Sequence, residues 1–243
     1  MSSIRHFQDC IAAYKVLCRL RLEAYKGLLT RADPILAQQR EQDLLRPPHF
    51  NVFQALGHAY REVSTHSAML AHLLDPAGNH AQGTRFLQGF LDIVQAAAER
   101  QKKNIRLPPL GDLTYRWRCR REVPLRDDLG QADVLIRGPG LLLLIENKIF
   151  AADQEAQLQR YWIFAKAEAE AKSLLPLIIY LTLDGHPPTA QSIRESPGLD
   201  ERLVLLSYHD DIYQFIQGNA EALHAVSVAE VLRQYAELVR NLT

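Results

Sequence analysis

Residues 132–149 read Ala-Asp-Val-Leu-Ile-Arg-Gly-Pro-Gly-Leu-Leu-Leu-Leu-Ile-Glu-Asn-Lys-Ile. Leu141 to Ile145 is an unbroken apolar run behind a turn signal, which predicts a strand buried on both faces. Such a strand offers no easy place for charge, yet this one ends on Glu146 and Lys148. Side chains alternate along a strand, so Glu146 and Lys148 point to the same side. Asp133 lies thirteen positions before Glu146 and opens a preceding strand, joined to the first by the Gly138-Pro139-Gly140 turn. Two carboxylates and an ammonium therefore converge. Two carboxylates can hold a hard cation such as Mg2+, which keeps part of its water, and a neighbouring lysine can orient or deprotonate that water. This equipment suits hydrolysis of a phosphodiester. The competing reading is a buried ion-pair network, which is expensive without a functional reason.

The flanks add detail. After Lys148, Asp153 is placed as the N-cap of a helix running through Gln157, Tyr161 and Trp162. Gln157 and Tyr161, four apart, share one face of it. Its plain alternative is an amphipathic helix that packs Leu158, Tyr161 and Trp162 on the sheet. Upstream, residues 61–76 read as a helix ended by Asp75-Pro76, with Glu62 and His66 on one face. Thr84 then opens another helix.

Together these residues resemble the PD-(D/E)XK nuclease superfamily, which has the restriction-endonuclease-like fold. Asp133, Glu146 and Lys148 match its core signature, although Ala132 stands where the eponymous proline would be. The resemblance implies that Asp133 and Glu146 bind Mg2+ or Mn2+, that the Asn147 carbonyl adds a ligand, and that Lys148 serves the nucleophilic water. It also implies that Gln157 and Tyr161 line the site and meet the nucleic-acid strand, and that Glu62 completes the metal shell. Glu62-x-x-x-His66-Ser67, Leu73-Leu74-Asp75-Pro76, His80-x-x-Gly83, Tyr180 to Gly185 and Leu206 to Asp210 resemble one stand-alone bacterial subgroup. The match spans roughly residues 51–215, and the set is far more specific than any single motif. What it implies is a metal-dependent nuclease acting on DNA, in defence against foreign DNA or in DNA repair. A non-catalytic nucleic-acid- or protein-binding module on the same fold, or a toxin-like RNase, stands as the alternative.

Some residues admit two readings. Glu62 fits either the metal shell or a solvated helix face. His66 fits either a satisfied core histidine or a contact to phosphate or a carboxylate. A zinc site has little support, because no His-Glu-x-x-His is present and Cys10, Cys18 and Cys119 make no Cys-x-x-Cys.

With 243 residues, 47% of them hydrophobic, the chain is long enough to bury a full core. The reading is α/β: a central mixed sheet flanked by helices over residues 51–243, with a helical elaboration over 1–50. Helices are expected near 3–30, 35–45, 51–74 and 84–103, with a break at Pro47-Pro48. Strands are expected near 115–123, 131–137, 141–147, 176–183 and 203–207, with the Gln157 helix before the fourth and two helices after the last. The absence of a long apolar run, the lack of an apolar leader and the unpaired cysteines point to the cytoplasm. Net charge is zero. Residues 100–126, however, carry nine Lys or Arg against Asp112 and Glu122, a balance of +7. In a strand there, Arg116, Arg118 and Arg120 face one way and form a basic track for a phosphate backbone; the alternative is an edge strand guarded by charge. Finally, Ile4, Ile11, Cys18 and Tyr25, with Phe7, Tyr14 and Leu28, follow heptad spacing interrupted by Arg21. That stripe either packs on its own domain or forms a homodimer with a second copy.

Overall fold

The computed structural model describes residues 2–45, 50–110 and 116–242, with side chains described from Tyr14 onward. The expected Pro47-Pro48 break and the heptad side chains of Ile4, Phe7 and Ile11 lie outside the described residues. The chain divides into two units, residues 1–50 and 51–243.

The first unit is one helix, α1 (Ser2–Leu45), where the sequence predicts two. It runs through Pro34, which lacks an N–H and crowds the carbonyl four residues back. In the turns just before it, side chains back-bond to the helix: the Thr30 hydroxyl donates to the Lys26 carbonyl at 3.0 Å, and Arg31 Nε to that of Gly27 at 3.2 Å. Tyr14, Leu17, Leu20, Tyr25 and Leu28 are exposed on α1.

The second unit is built on a five-stranded sheet in the order β1-β2-β3-β4-β5. Its strands are β1 (Arg118–Pro124), β2 (Gln131–Gly138), β3 (Leu141–Lys148), β4 (Leu175–Thr182) and β5 (Leu203–Ser207). The first three are antiparallel, and β3, β4 and β5 run parallel. Every residue of β3 is buried, as its apolar run predicts, since both faces of the sheet are covered there. The β2–β3 hairpin closes on Pro139-Gly140. Gly140, at φ +74°, supplies the left-handed residue that follows proline in a type II turn. Gly138 is required for space: a Cβ there would lie 2.1 Å from the Trp117 ring.

One face of the sheet packs α3 (Ala68–Leu74), α4 (Arg85–Arg100), α7 (Tyr213–Ala222) and α8 (Val226–Arg240) in the larger core. The other carries α5 (Gln157–Lys172), whose Leu158, Tyr161, Trp162 and Phe164 cover Leu142, Leu144 and Ile178. The five expected strands are all present. The long helix expected over 51–74 is not. A short α2 (Val52–Ala55) ends near Gly57, at φ +67°, and a π-turn (Glu62–Ser67) leads into α3. A second short helix, α6 (Ala190–Ile193), lies between β4 and β5. Asp153 does not cap α5: Ala156, in the left-handed region, precedes Gln157, while Asp153 accepts hydrogen bonds from the Tyr180 hydroxyl (2.8 Å) and the Thr189 amide (2.7 Å).

Candidate active site

Continuing the β2–β3 register by one residue sets Asp133 opposite Glu146, but the ladder stops at the Val134–Ile145 pair. On the other side, β1 pairs Arg121 with Val134 and Val123 with Ala132, and Glu122 between them adopts φ +49°. Asp133 is thus released from regular pairing on both flanks, and its Oδ2 accepts the Asn147 amide at 2.8 Å. Alternation along β3 aims Glu146 and Lys148 at the α5 side. Lys148 Nζ donates to Glu146 Oε1 at 2.7 Å, with the two side chains only 6% and 2% exposed. Asn147 points to the opposite side, where its Nδ2 donates to Ser67 Oγ at 3.0 Å. Its backbone alone is therefore available to the pocket. Asp133, Glu146 and Lys148 are brought together as the sequence predicts.

The electrostatics disfavour two free carboxylates in this pocket. Burial, then the Asp133 charge, pushes the Glu146 carboxyl up to about 7, against the pull of Lys148. Burial also raises Asp133, with Glu62 and Glu122 adding to the effect. Glu146 Oε2 is buried without a hydrogen-bond partner. Two mutually repelling carboxylates and an orphaned hard oxygen fit Mg2+ or Mn2+, and no soft ligand accompanies them. Among the described residues no group of three or more His, Cys, Asp or Glu is arranged to hold a metal. Glu62 is engaged with the backbone: its Oε2 accepts the amides of Ile149 (2.8 Å), Phe150 (2.7 Å) and Ala151 (3.2 Å). In this arrangement Glu62 clamps the loop that follows Lys148, while staying close enough to Asp133 to influence its charge.

The family model of the PD-(D/E)XK nuclease superfamily matches residues 50–237. The chain belongs to that superfamily. A search of curated proteins found no match, nor did a search of solved structures. Superfamily membership and the mixed sheet with its flanking helices agree on the α/β reading.

Gln157 and Tyr161, expected to meet the nucleic-acid strand, are buried. The Tyr161 hydroxyl donates to the Gln131 carbonyl beside Asp133 and receives a 3.5 Å contact from Gln157 Nε2. It also lies close to Glu146. Both residues brace the carboxylates from α5. His66, expected among the nucleic-acid contacts, is a core histidine instead, with no exposed surface. Its Nε2 faces the Ala59 carbonyl at 3.0 Å, so Nε2 carries the proton, and Nδ1 accepts from the Tyr235 hydroxyl at 3.0 Å. Burial lowers its pKa, against the Ala59 carbonyl and the Glu62 charge, which raise it. Arg116, Arg118 and Arg120 are exposed, alternating with buried Trp117 and Cys119. Arg118 and Arg120 lie on the edge strand β1, which begins at Arg118, so Arg116 precedes it; residue 115, the expected start, lies outside the described residues.

Ser67, Tyr180 and Tyr208 fall in the motifs quoted above but carried no assigned role there, and Tyr235 was not singled out. Tyr180 stands beside Glu146 in the β3–β4 register and ties Asp153 to the site. Ser67 holds Asn147, and Tyr235 holds His66, from the far face. Tyr235 lies on α8, more than eighty residues beyond Lys148. No local spacing could have announced it.

Proposed function

We propose that the protein is a Mg2+- or Mn2+-dependent nuclease that hydrolyses phosphodiester bonds of DNA, in defence against foreign DNA or in DNA repair, in the cytoplasm. Residues 51–243 form the nuclease domain in this reading, and residues 1–50 a helical elaboration open to homodimerisation. The observation that carries it is the buried meeting of Asp133, Glu146 and Lys148, with one Glu146 oxygen unpartnered.

Asp133, Glu146 and the Asn147 carbonyl would hold the cation, with Glu62 at the rim; when bound, it supplies Lewis acidity and a water of lowered pKa. Lys148 uses one of its three N–H donors on Glu146, which leaves others for the attacking water or a phosphate oxygen. Its charge also opposes the negative charge that builds up on the phosphoryl group. Asp133, braced by the Asn147 amide, and Glu146, walled in by Tyr161 and Tyr180, keep their places while the phosphate enters. The DNA assignment and the defence or repair context rest on the resemblance of the motifs.

The test incubates the protein with linear DNA, circular DNA and RNA in Mg2+, Mn2+ or EDTA, with Lys148→Ala as control. Metal-dependent DNA cleavage absent from Lys148→Ala supports the reading. Cleavage of RNA alone reassigns the substrate, and binding without cleavage in either metal favours a non-catalytic module.

A further inference from the structure

On β2, Asp133, Leu135 and Arg137 alternate onto the sheet face covered by α5, the same face as Glu146 and Lys148. Helix α5 packs chiefly on β3 and β4. Over β1 and β2 it leaves a trough of about 310 Å3, lined by Arg118, Arg120, Arg126 and Arg137 with Val123 and Phe164. Glu168 on α5 organises its wall: Arg137 Nη2 and Lys172 Nζ donate to Oε2 at 2.8 and 2.6 Å, and Arg126 Nη2 lies 3.2 Å from Oε1. Lys172, then Arg137 and Arg126, hold the Glu168 carboxyl below its usual range, as expected in a strongly positive field. Three cations thus pair with one carboxylate while Arg118 and Arg120 line the same trough, a local positive excess beyond that single counter-charge.

We propose that this trough binds phosphate groups of the nucleic-acid strand held at the Asp133–Glu146 site. Arg118 and Arg120 supply one wall, Arg126 and Arg137 the other, and Phe164 an apolar side. Arg137 stands four residues from Asp133 along β2, about 13 Å at strand rise. That separation keeps the trough off the scissile phosphate and places it at phosphates further along the same strand. Arginine suits the task, because its planar fork matches phosphate oxygens. The inference rests on the nuclease reading of the neighbouring site.

The test is fluorescence anisotropy with a labelled DNA duplex in Ca2+, across a salt series, on the full chain. Arg126→Gln/Arg137→Gln should flatten the log–log salt slope by about 0.9 for each lost phosphate contact and weaken binding alike on all sequences. Arg120→Gln is exposed and makes no contact with Glu168, so it tests the trough even if the double variant misfolds, and it should flatten the slope by about 0.9. Glu168→Gln, which frees the arginines of their internal counter-ion, should bind more tightly than wild type, an effect no purely structural role predicts. Duplexes bearing a 5′-phosphate or a 5′-hydroxyl, and a closed circle, separate the sources of phosphate: equal losses on all three assign internal phosphodiesters, and a loss confined to the first assigns a terminal phosphate. Wild-type slope and affinity in both arginine variants of an active enzyme overturns the trough alone, whereas a wild type that neither binds nor cleaves overturns the nuclease reading with it.

Discussion

Glu146 and Lys148 neutralise each other in a place water scarcely reaches, which makes each a condition for the other. Lys148→Ala is expected to lower the hydrolysis rate by about 10²–10⁴-fold, the range for a positioned proton-handling group. It should also lower stability by about 3 kcal/mol at pH 8, because removing one partner strands the other. At pH 5 the loss should be smaller, since Glu146 can take a proton. Urea unfolding at the two pH values, beside a cleavage assay, checks both. A second expectation concerns the metal-free protein. Glu146 has a folded pKa of about 7, above its unfolded value, so the folded state binds the extra proton. Stability from this group is full below about 4.5 and falls as pH rises to about 7, by on the order of 3 kcal/mol. His66 opposes this trend, because its pKa is lowered and it must charge on unfolding in acid. The comparison with Glu146→Gln isolates the carboxyl: in EDTA the stability of wild type minus that of the variant should fall between pH 5 and pH 8. Added Mn2+ should reverse the fall by binding the ionised carboxylates. A difference that is flat, or that rises with pH, contradicts the assignment of Glu146.

At the scale of elements, the site depends on three connections: the splayed β2–β3 pair, the π-turn before α3, and the loop between β3 and α5. Glu62 joins the second to the third through three amides on one oxygen. Hydrogen bonds to a charged acceptor contribute about 1.5–3 kcal/mol, and a neutral amide oxygen recovers only part of that. Glu62→Gln should therefore accelerate hydrogen exchange at Ile149, Phe150 and Ala151. It should also raise the Mg2+ concentration needed for half-maximal cleavage, with partial rescue by excess metal. Faster exchange with an unchanged Mg2+ requirement would restrict Glu62 to clamping the loop. The π-turn was invisible in the sequence, where residues 61–76 read as one regular helix. Gly57 could have warned of a break, but the extra residue of a π-turn has no compositional mark.

For the molecule as a whole, the division at residue 50 coincides with the start of the family match. Residues 51–243 alone should unfold cooperatively and keep metal-dependent cleavage, because both cores and every residue of the proposed site lie in them. Light scattering after size exclusion then tests α1. If its exposed Leu17, Leu20, Tyr25 and Leu28 pair with a second copy, the full chain should run as a dimer and residues 51–243 as a monomer. A monomeric full chain would assign those residues another role.

The period of the sequence determined most of the sheet. A five-residue apolar run, its Gly-Pro-Gly turn and the charges behind it located β2, β3 and the Asp133, Glu146 and Lys148 cluster, because strand alternation and a short hairpin leave few other arrangements. The same local rules located α4 to within a few residues and gave the order of α5 and the two C-terminal helices without their bounds. Tertiary structure decided what those rules cannot reach. His66 became a core residue through Tyr235 and Ala59, Asp153 became an anchor for Tyr180 and Thr189 instead of a helix cap, and Arg126 and Arg137 gathered around Glu168. Each depends on partners far away in the chain, and a polar group's role is set by the partner that folding brings within about 3 Å, not by its neighbours in sequence.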